Sequence, residues 1–188
     1  MLRKTRAVME RRTTARSGTR RTGLPLAATV LTGTVALYIA LVAFGNITDF
    51  GTNRDFVRHV LAMDTTFHDP DLMWHAITSP ALQDAAYVGI IAWETAAAVV
   101  LVVATVLGAL GLRRGDFGRA RRTASMGLLM LLVLFGAGFM AVGGEWFAMW
   151  QSKSWNGLEA AARNIVVAGV ALIVVHLPGA TVSDESGE

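Results

Sequence analysis

Glu94 is a carboxylate set inside a long apolar run, Ala81 to Leu112, about twelve residues from its start. As a helix, that spacing puts it roughly 18 Å along the axis. A charge at such a depth in a bilayer costs about 2.5–3.5 kcal/mol on insertion scales, so the side chain must face other protein. It either keeps its proton or pairs with a cation. Arg163 is the natural counter-ion, because it lies about one and a half turns into another apolar run, beside Asn164. Glu145 closes a third run. Three helices would then bring Glu94, Glu145, Arg163 and Asn164 into one polar cluster, with Arg163 bridging Glu145 and Glu94. Such a cluster could hold a proton, an ion or a small ligand. The alternative is a structural clasp that fixes helix order, or a protonated Glu94 bonded to a backbone carbonyl, and the structural reading is preferred. Arg163 has two further options: snorkelling to the outer interface or pairing with Glu159, four residues earlier.

The other reactive side chains form no pattern. His59, His68 and His75 fall in one loop with Asp55, Asp64, Asp69 and Asp71, but without an H-x-x-x-H or H-E-x-x-H spacing. No metal site is expected from them. His176 is a lone histidine within the apolar runs, so paired axial ligation of a haem is not expected either. Phosphate-loop, dinucleotide and nucleophile-elbow signatures are missing from the sequence. With no cysteine, thiolate chemistry is excluded. The expectation is a protein that is not an enzyme and carries no cofactor.

The elements that must position Glu94 are four apolar stretches, starting near Leu24, Ala81, Ala124 and Leu158. Each is long enough to cross a hydrocarbon layer of about 30 Å as a helix. The chain has 188 residues, 53% of them apolar and only 16% charged, which is far from the balance of a soluble domain. The expected fold is all-α: a four-helix transmembrane bundle with short interfacial helices in the first outer loop. Spans are expected at 24–44, 81–112, 124–145 and 158–177, inside a membrane domain 24–178. A basic, disordered tail 1–23 precedes it and an acidic tail 179–188 follows.

Charge gives the spans a direction. The net charge is +3, but the cations are clustered. Arg3, Lys4, Arg6, Arg11, Arg12, Arg16, Arg20 and Arg21 precede the first span, and Arg113, Arg114, Arg119, Arg121 and Arg122 lie between the second and third. The positive-inside rule puts both clusters in the cytoplasm, and with them both termini of a multi-pass protein of the inner membrane. The basic tail contains no aromatic residue before Leu24, so contact with anionic lipid is expected rather than nucleic-acid binding. No cleaved signal peptide is expected, because the first stretch is too long for one.

The connections carry their own signals. Asp55 to Leu61 reads as a short amphipathic helix capped by Thr52 or Asn53. Asp69-Pro70 starts a second short turn, and Ser79-Pro80 starts the second span. The third span carries Gly136, Ala137, Gly138 and Ala141, and the second Ala92, Ala96, Ala104 and Gly108, all small residues of the kind that let helices approach. A hairpin from Gly143 to Gly157 holds Trp146, Trp150 and Trp155, which are expected to anchor at the headgroup level. Asn156 with Glu159 reads as a capping box for the fourth span. No repeat relates the two halves of the chain, which counts against an inverted-repeat transporter.

Several segments together carry a family resemblance. They are Leu41 to Gly51 (LVAFGNITDFG), His59 to Phe67 (HVLAMDTTF), Trp74 to Pro80 (WHAITSP), Glu94, and the tryptophan hairpin. In these the chain resembles the bacterial small integral membrane proteins of unknown function, domain of unknown function 2165, over roughly Val35 to Pro178. The resemblance implies a four-helix membrane protein and supplies no activity or catalytic residue. The expected role is a non-enzymatic accessory subunit or assembly partner of a membrane complex. Its expected partners are the lipid bilayer and other membrane subunits. The alternative is a small ion or solute transporter that uses Glu94 as its intramembrane carboxylate. A lipid- or quinone-directed enzyme is a distant third.

Overall fold

The computed structural model describes residues 2–178, with side chains from Gly23 onward. The acidic tail 179–188 and the side chains of the basic tail ahead of Gly23 lie outside the described residues, and with them the reading of lipid contact made there; the backbone of the basic tail, expected to be disordered, is helical from Leu2. The described chain is all-helical, with α1 (Leu2–Thr48), α2 (Phe50–Ala62), α3 (Pro80–Arg114), α4 (Gly118–Leu132) and α5 (Leu158–His176). Four segments have the length and hydropathy of membrane spans: Gly23–Thr48, Pro80–Arg114, Gly118–Trp146 and Leu158–His176. They form an antiparallel bundle in which α1 packs on α3, α3 on α4, α4 on α5, and α5 back on α1.

Small residues set the closest contacts. A Cβ on Gly108 would stand 2.6 Å from the Thr29 hydroxyl, and one on Gly127 would stand 2.7 Å from Leu101. Ala104 and Gly108 therefore lie at the α1–α3 contact, where small size matters. Ala92 and Ala96 are exposed, and Gly136 has open space around it. Ala92 and Ala96 face outward because the buried stripe of α3 runs through Tyr87, Glu94, Ala97, Ala98, Leu101, Ala104 and Gly108.

Three expectations about local structure need correction. The third span does not stay α-helical: from Val133 to Trp146 it winds as a π-helix, closing with the Phe147 N–H on the Val142 carbonyl. The amphipathic helix of the first loop starts earlier than Asp55. It begins at Phe50, a single residue after α1, with Asp49 rather than Thr52 or Asn53 at its N-cap. α5 begins at Leu158 with Gly157 as N-cap, and Asn156 accepts the Leu158 N–H at 3.0 Å. That bond spans two residues, so Asn156 makes an Asx turn instead of a capping box.

At the end of the bundle reached by the long loop, a second core forms. Val60 and Met63 of the first loop pack on Phe147, Ala148 and Met149 of the tryptophan hairpin. Hydrogen bonds join the two segments: Thr65 to Ser152, the Phe67 N–H to Gln151, and the Trp146 carbonyl to His75. Met63 and Ala148 hold positive φ values of 53° and 49°. Both are buried, so packing holds them in a conformation that costs a non-glycine residue energy.

Two glycines of α3 should respond oppositely to added volume. Thr29 cannot swing away from Gly108 without leaving its bond to the Pro25 carbonyl, so Gly108→Val is expected to destabilise by about 1–3 kcal/mol. Gly89 has nothing within 4 Å, and Gly89→Ala is expected to be neutral or to stabilise by up to about 1 kcal/mol. Unfolding in mild detergent measures both.

Candidate functional site

Glu94 is 2% exposed and lies in the middle of α3's buried stripe. Its partner comes from α1, not α5: the Asn46 amide donates to Glu94 Oε2 at 2.6 Å. Asn46 Oδ1 in turn accepts from the Asn53 amide of α2 at 2.7 Å. The Tyr87 hydroxyl donates to the Asn46 carbonyl at 3.0 Å. That carbonyl belongs to the last turn of α1, where the helix itself offers no partner. One buried asparagine thus ties together α1, α2 and α3.

The register of the antiparallel pair explains why Glu94 meets Asn46. Thr29 faces Gly108 and Gly33 faces Thr105. Continuing the pairing up the two helices places Asn46 opposite Glu94. Asn46 is two residues from the end of α1, so Glu94 sits at the loop end of the bundle. Its distance along α3 is misleading as a depth, because α3 begins well beyond α1's end and runs its first turns beside α2.

Those first turns carry a second clamp. Arg54 donates from Nε to Asp84 Oδ1 at 2.8 Å, and Arg58 does so at 3.0 Å. Each also reaches the other carboxylate oxygen with Nη2. Two guanidiniums on one carboxylate anchor α2 along α3. Hydrogen bonding to Asp84 holds the Arg54 guanidinium above its ordinary pKa.

Asn164 belongs to a separate layer. It is buried and accepts from the Tyr38 hydroxyl at 2.7 Å. Tyr38 lies eight residues before Asn46 on α1, a rise of roughly 12 Å. Asn164 shares the buried face of α5 with Ala161, Ala168 and Ala171. Arg163 is one residue off that face, about 100° around the helix, and is exposed. Glu145 is exposed as well. Among the described residues neither makes an ion pair, and Glu94 has no cationic partner. The four side chains expected in one cluster are therefore divided: Glu94 in the upper layer, Asn164 in the lower, Arg163 and Glu145 on the outside.

The tryptophans crown the loop end. Trp146 is exposed and stacks on His75 with ring centroids 4.0 Å apart, and Trp74 meets both edge-on. Trp150 is exposed against Phe67. Trp155 is half-buried on His59, at 4.6 Å. His59 and His75 of the first loop thus serve as aromatic partners. Further along the bundle, Trp93 donates its Nε1–H to the Met130 carbonyl at 2.9 Å, which satisfies the indole on the lipid-facing side.

Asn46, Asn53, Tyr87 and Tyr38 are partners that belong to no catalytic or ligand motif. A signal was present: Asn46 continues the buried helical phase of Val35, Ile39 and Ala43. A polar residue in phase with a core stripe faces inward.

The clasp has a distinctive signature in stability. Asn46→Leu strands the Glu94 oxygen and the Asn53 amide, and should cost about 1–3 kcal/mol. Glu94→Gln keeps an acceptor for Asn46 and should cost less than about 1 kcal/mol. Detergent unfolding of both variants, and of Asn46→Leu with Glu94→Leu in a double-mutant cycle, checks this; independent effects in the cycle would show that the bond does not hold α1 on α3.

Comparison with known proteins adds one finding to this geometry. No curated protein and no solved structure matches the chain. A family model for predicted small integral membrane proteins, domain of unknown function 2165, matches residues 24–178. That stretch contains all four spans, the Asn46–Glu94 clasp and the tryptophan crown, and the chain belongs to this family of small integral membrane proteins.

Proposed function

We propose that the protein is a non-enzymatic accessory subunit or assembly partner of a larger membrane complex. One observation carries the reading: Arg163 lies within the fourth span, on the outward face of α5, without an ion pair among the described residues. Ionisable side chains inside spans almost always face protein or a water-filled cavity. A carboxylate or polar side chain on a neighbouring membrane helix is the partner that Arg163 calls for. Around it, Val166, Val170 and Ile173 offer a flat apolar helix face, suited to lateral packing. The exposed rings of Phe67, Trp74 and Trp150 supply a second contact at the loop end. The positive-inside rule gives this assembly a direction, with both termini cytoplasmic in a bacterial inner membrane.

The test is affinity purification of the full chain from membranes in mild detergent. A partner is expected to co-purify, and Arg163→Ala should lower its recovery by about tenfold, the equivalent of 1.4 kcal/mol, with unfolding unchanged. Recovery of the wild type only as a lone monomer or homo-oligomer overturns the reading.

A second reading is a small ion or solute transporter with Glu94 as the coupling carboxylate. The burial of that carboxyl inside the second span favours it. It requires that Glu94→Gln abolish a proteoliposome flux while leaving the fold intact. Absence of flux in the wild type, across a broad panel of ions and solutes, removes it.

A further inference from the structure

We infer that the inner ends of α4 and α5 bind the phosphate headgroup of an anionic phospholipid, through Arg121 and Arg122 beside Ser125 and His176. This site is separate from the Arg163 face and does not rest on the role proposed above.

The arrangement starts from an imbalance of charge. Arg113 and Arg114 end α3, and Arg119, Arg121 and Arg122 begin α4. The turn between them holds a single carboxylate, Asp116, whose Oδ1 accepts the Gly118 N–H at 3.0 Å. The first turn of α4 contains no acidic residue, although cations there oppose the helix dipole. Among the described residues, none of the five arginines makes an ion pair. Among the described side chains, the α3–α4 turn sets one carboxylate against five guanidiniums.

Arg121, Ser125 and His176 are held in place by one another. His176, at the end of α5, bonds through Nε2 to the Ser125 hydroxyl at 2.7 Å. Ser125 donates to the Arg121 carbonyl at 2.8 Å. Arg121 Nη2 reaches His176 Nδ1 and the His176 carbonyl, each at 3.3 Å. One edge of the Arg121 guanidinium is therefore held by α5, and its other donors have no partner among the described residues. Arg121 and Arg122 project about 100° apart from α4, and Ser125, one turn on from each, lies between them. Both guanidiniums are exposed. A fork of planar donors suits phosphate oxygens.

Position decides the source of the phosphate. The exposed α4 residues Met126 and Leu129 lie one to two turns from the arginines, toward the middle of the span. An acyl chain can lie against these while its headgroup meets the guanidiniums. A free phosphate ion would gain only the charge contacts. Basic pockets between spans are known to hold anionic headgroups in this manner.

The experiment uses the full chain, stripped of lipid in mild detergent, and reads its unfolding midpoint. Ligands that bind the folded state raise the midpoint. Added phosphatidylglycerol is expected to raise it by about 2–4 °C; phosphatidylcholine and inorganic phosphate are expected to leave it unchanged. Arg122→Gln, which removes no bond within the described chain, should reduce the shift, and Arg121→Gln/Arg122→Gln should abolish it. Arg113→Gln/Arg114→Gln should retain it. Equal shifts from phosphatidylcholine or from inorganic phosphate overturn the assignment, as does a full shift in the Arg122→Gln variant. A shift seen only after Asp184, Glu185 and Glu188 are changed to Gln also overturns it, because the acidic tail would then be the occupant.

Discussion

Hydrocarbon offers no hydrogen-bond partner, and the arrangement of this bundle follows from where each polar group finds one. The hydroxyls of Thr29, Thr32, Thr34, Thr95 and Thr105 bond carbonyls four residues back in their own helices. Those hydrogen bonds, being local, impose nothing on tertiary structure. Glu94, Asn46 and Asn164 are too polar for that solution and have to find partners on other helices. The Asn46–Glu94 bond is therefore the joint on which the loop end of the bundle is aligned. It pins the last turn of α1 to α3, and through Asn53 it draws α2 into the same assembly.

The loop end is consequently the more elaborate half of the molecule. α2 starts within a residue of α1 and is clamped along α3 by two arginines on Asp84. The tryptophan hairpin then packs on α2 and on the turn that follows it. The opposite end is simpler: a short turn, five arginines and one histidine. The two ends suit different neighbours. One presents aromatic rings and a buried polar joint; the other presents clustered arginines.

Much of this was readable in the linear chain. Four runs of membrane length, interrupted by Gly, Pro and Asn at their ends, leave few alternatives to four helices. The inward direction of Glu94 followed from the cost of exposing a carboxyl to lipid. The choice of partner did not follow. Charge pairing pointed to Arg163, because opposite charges attract most strongly at long range. Helix phase overruled it: Arg163 falls one residue away from the stripe of Ala161, Asn164 and Ala168, and one residue turns a side chain out of the core. Depth counted from the start of α3 was misleading for a related reason, since that helix overshoots its neighbour.

The sequence by itself determined the class of the protein, the number of its spans, the segregation of its cations and the inward placement of Glu94. All of these depend on local composition and on a 3.6-residue period. Only the tertiary structure decided that Asn46 is the partner of Glu94, that Asn164 belongs with Tyr38 in a lower layer, and that Arg163 faces outward. It also decided that the third span widens into a π-helix. These depend on the register and rotation of one helix against another, which small contacts such as Gly108 on Thr29 set. Residues separated by 48 positions, as Asn46 and Glu94 are, meet only once that register exists.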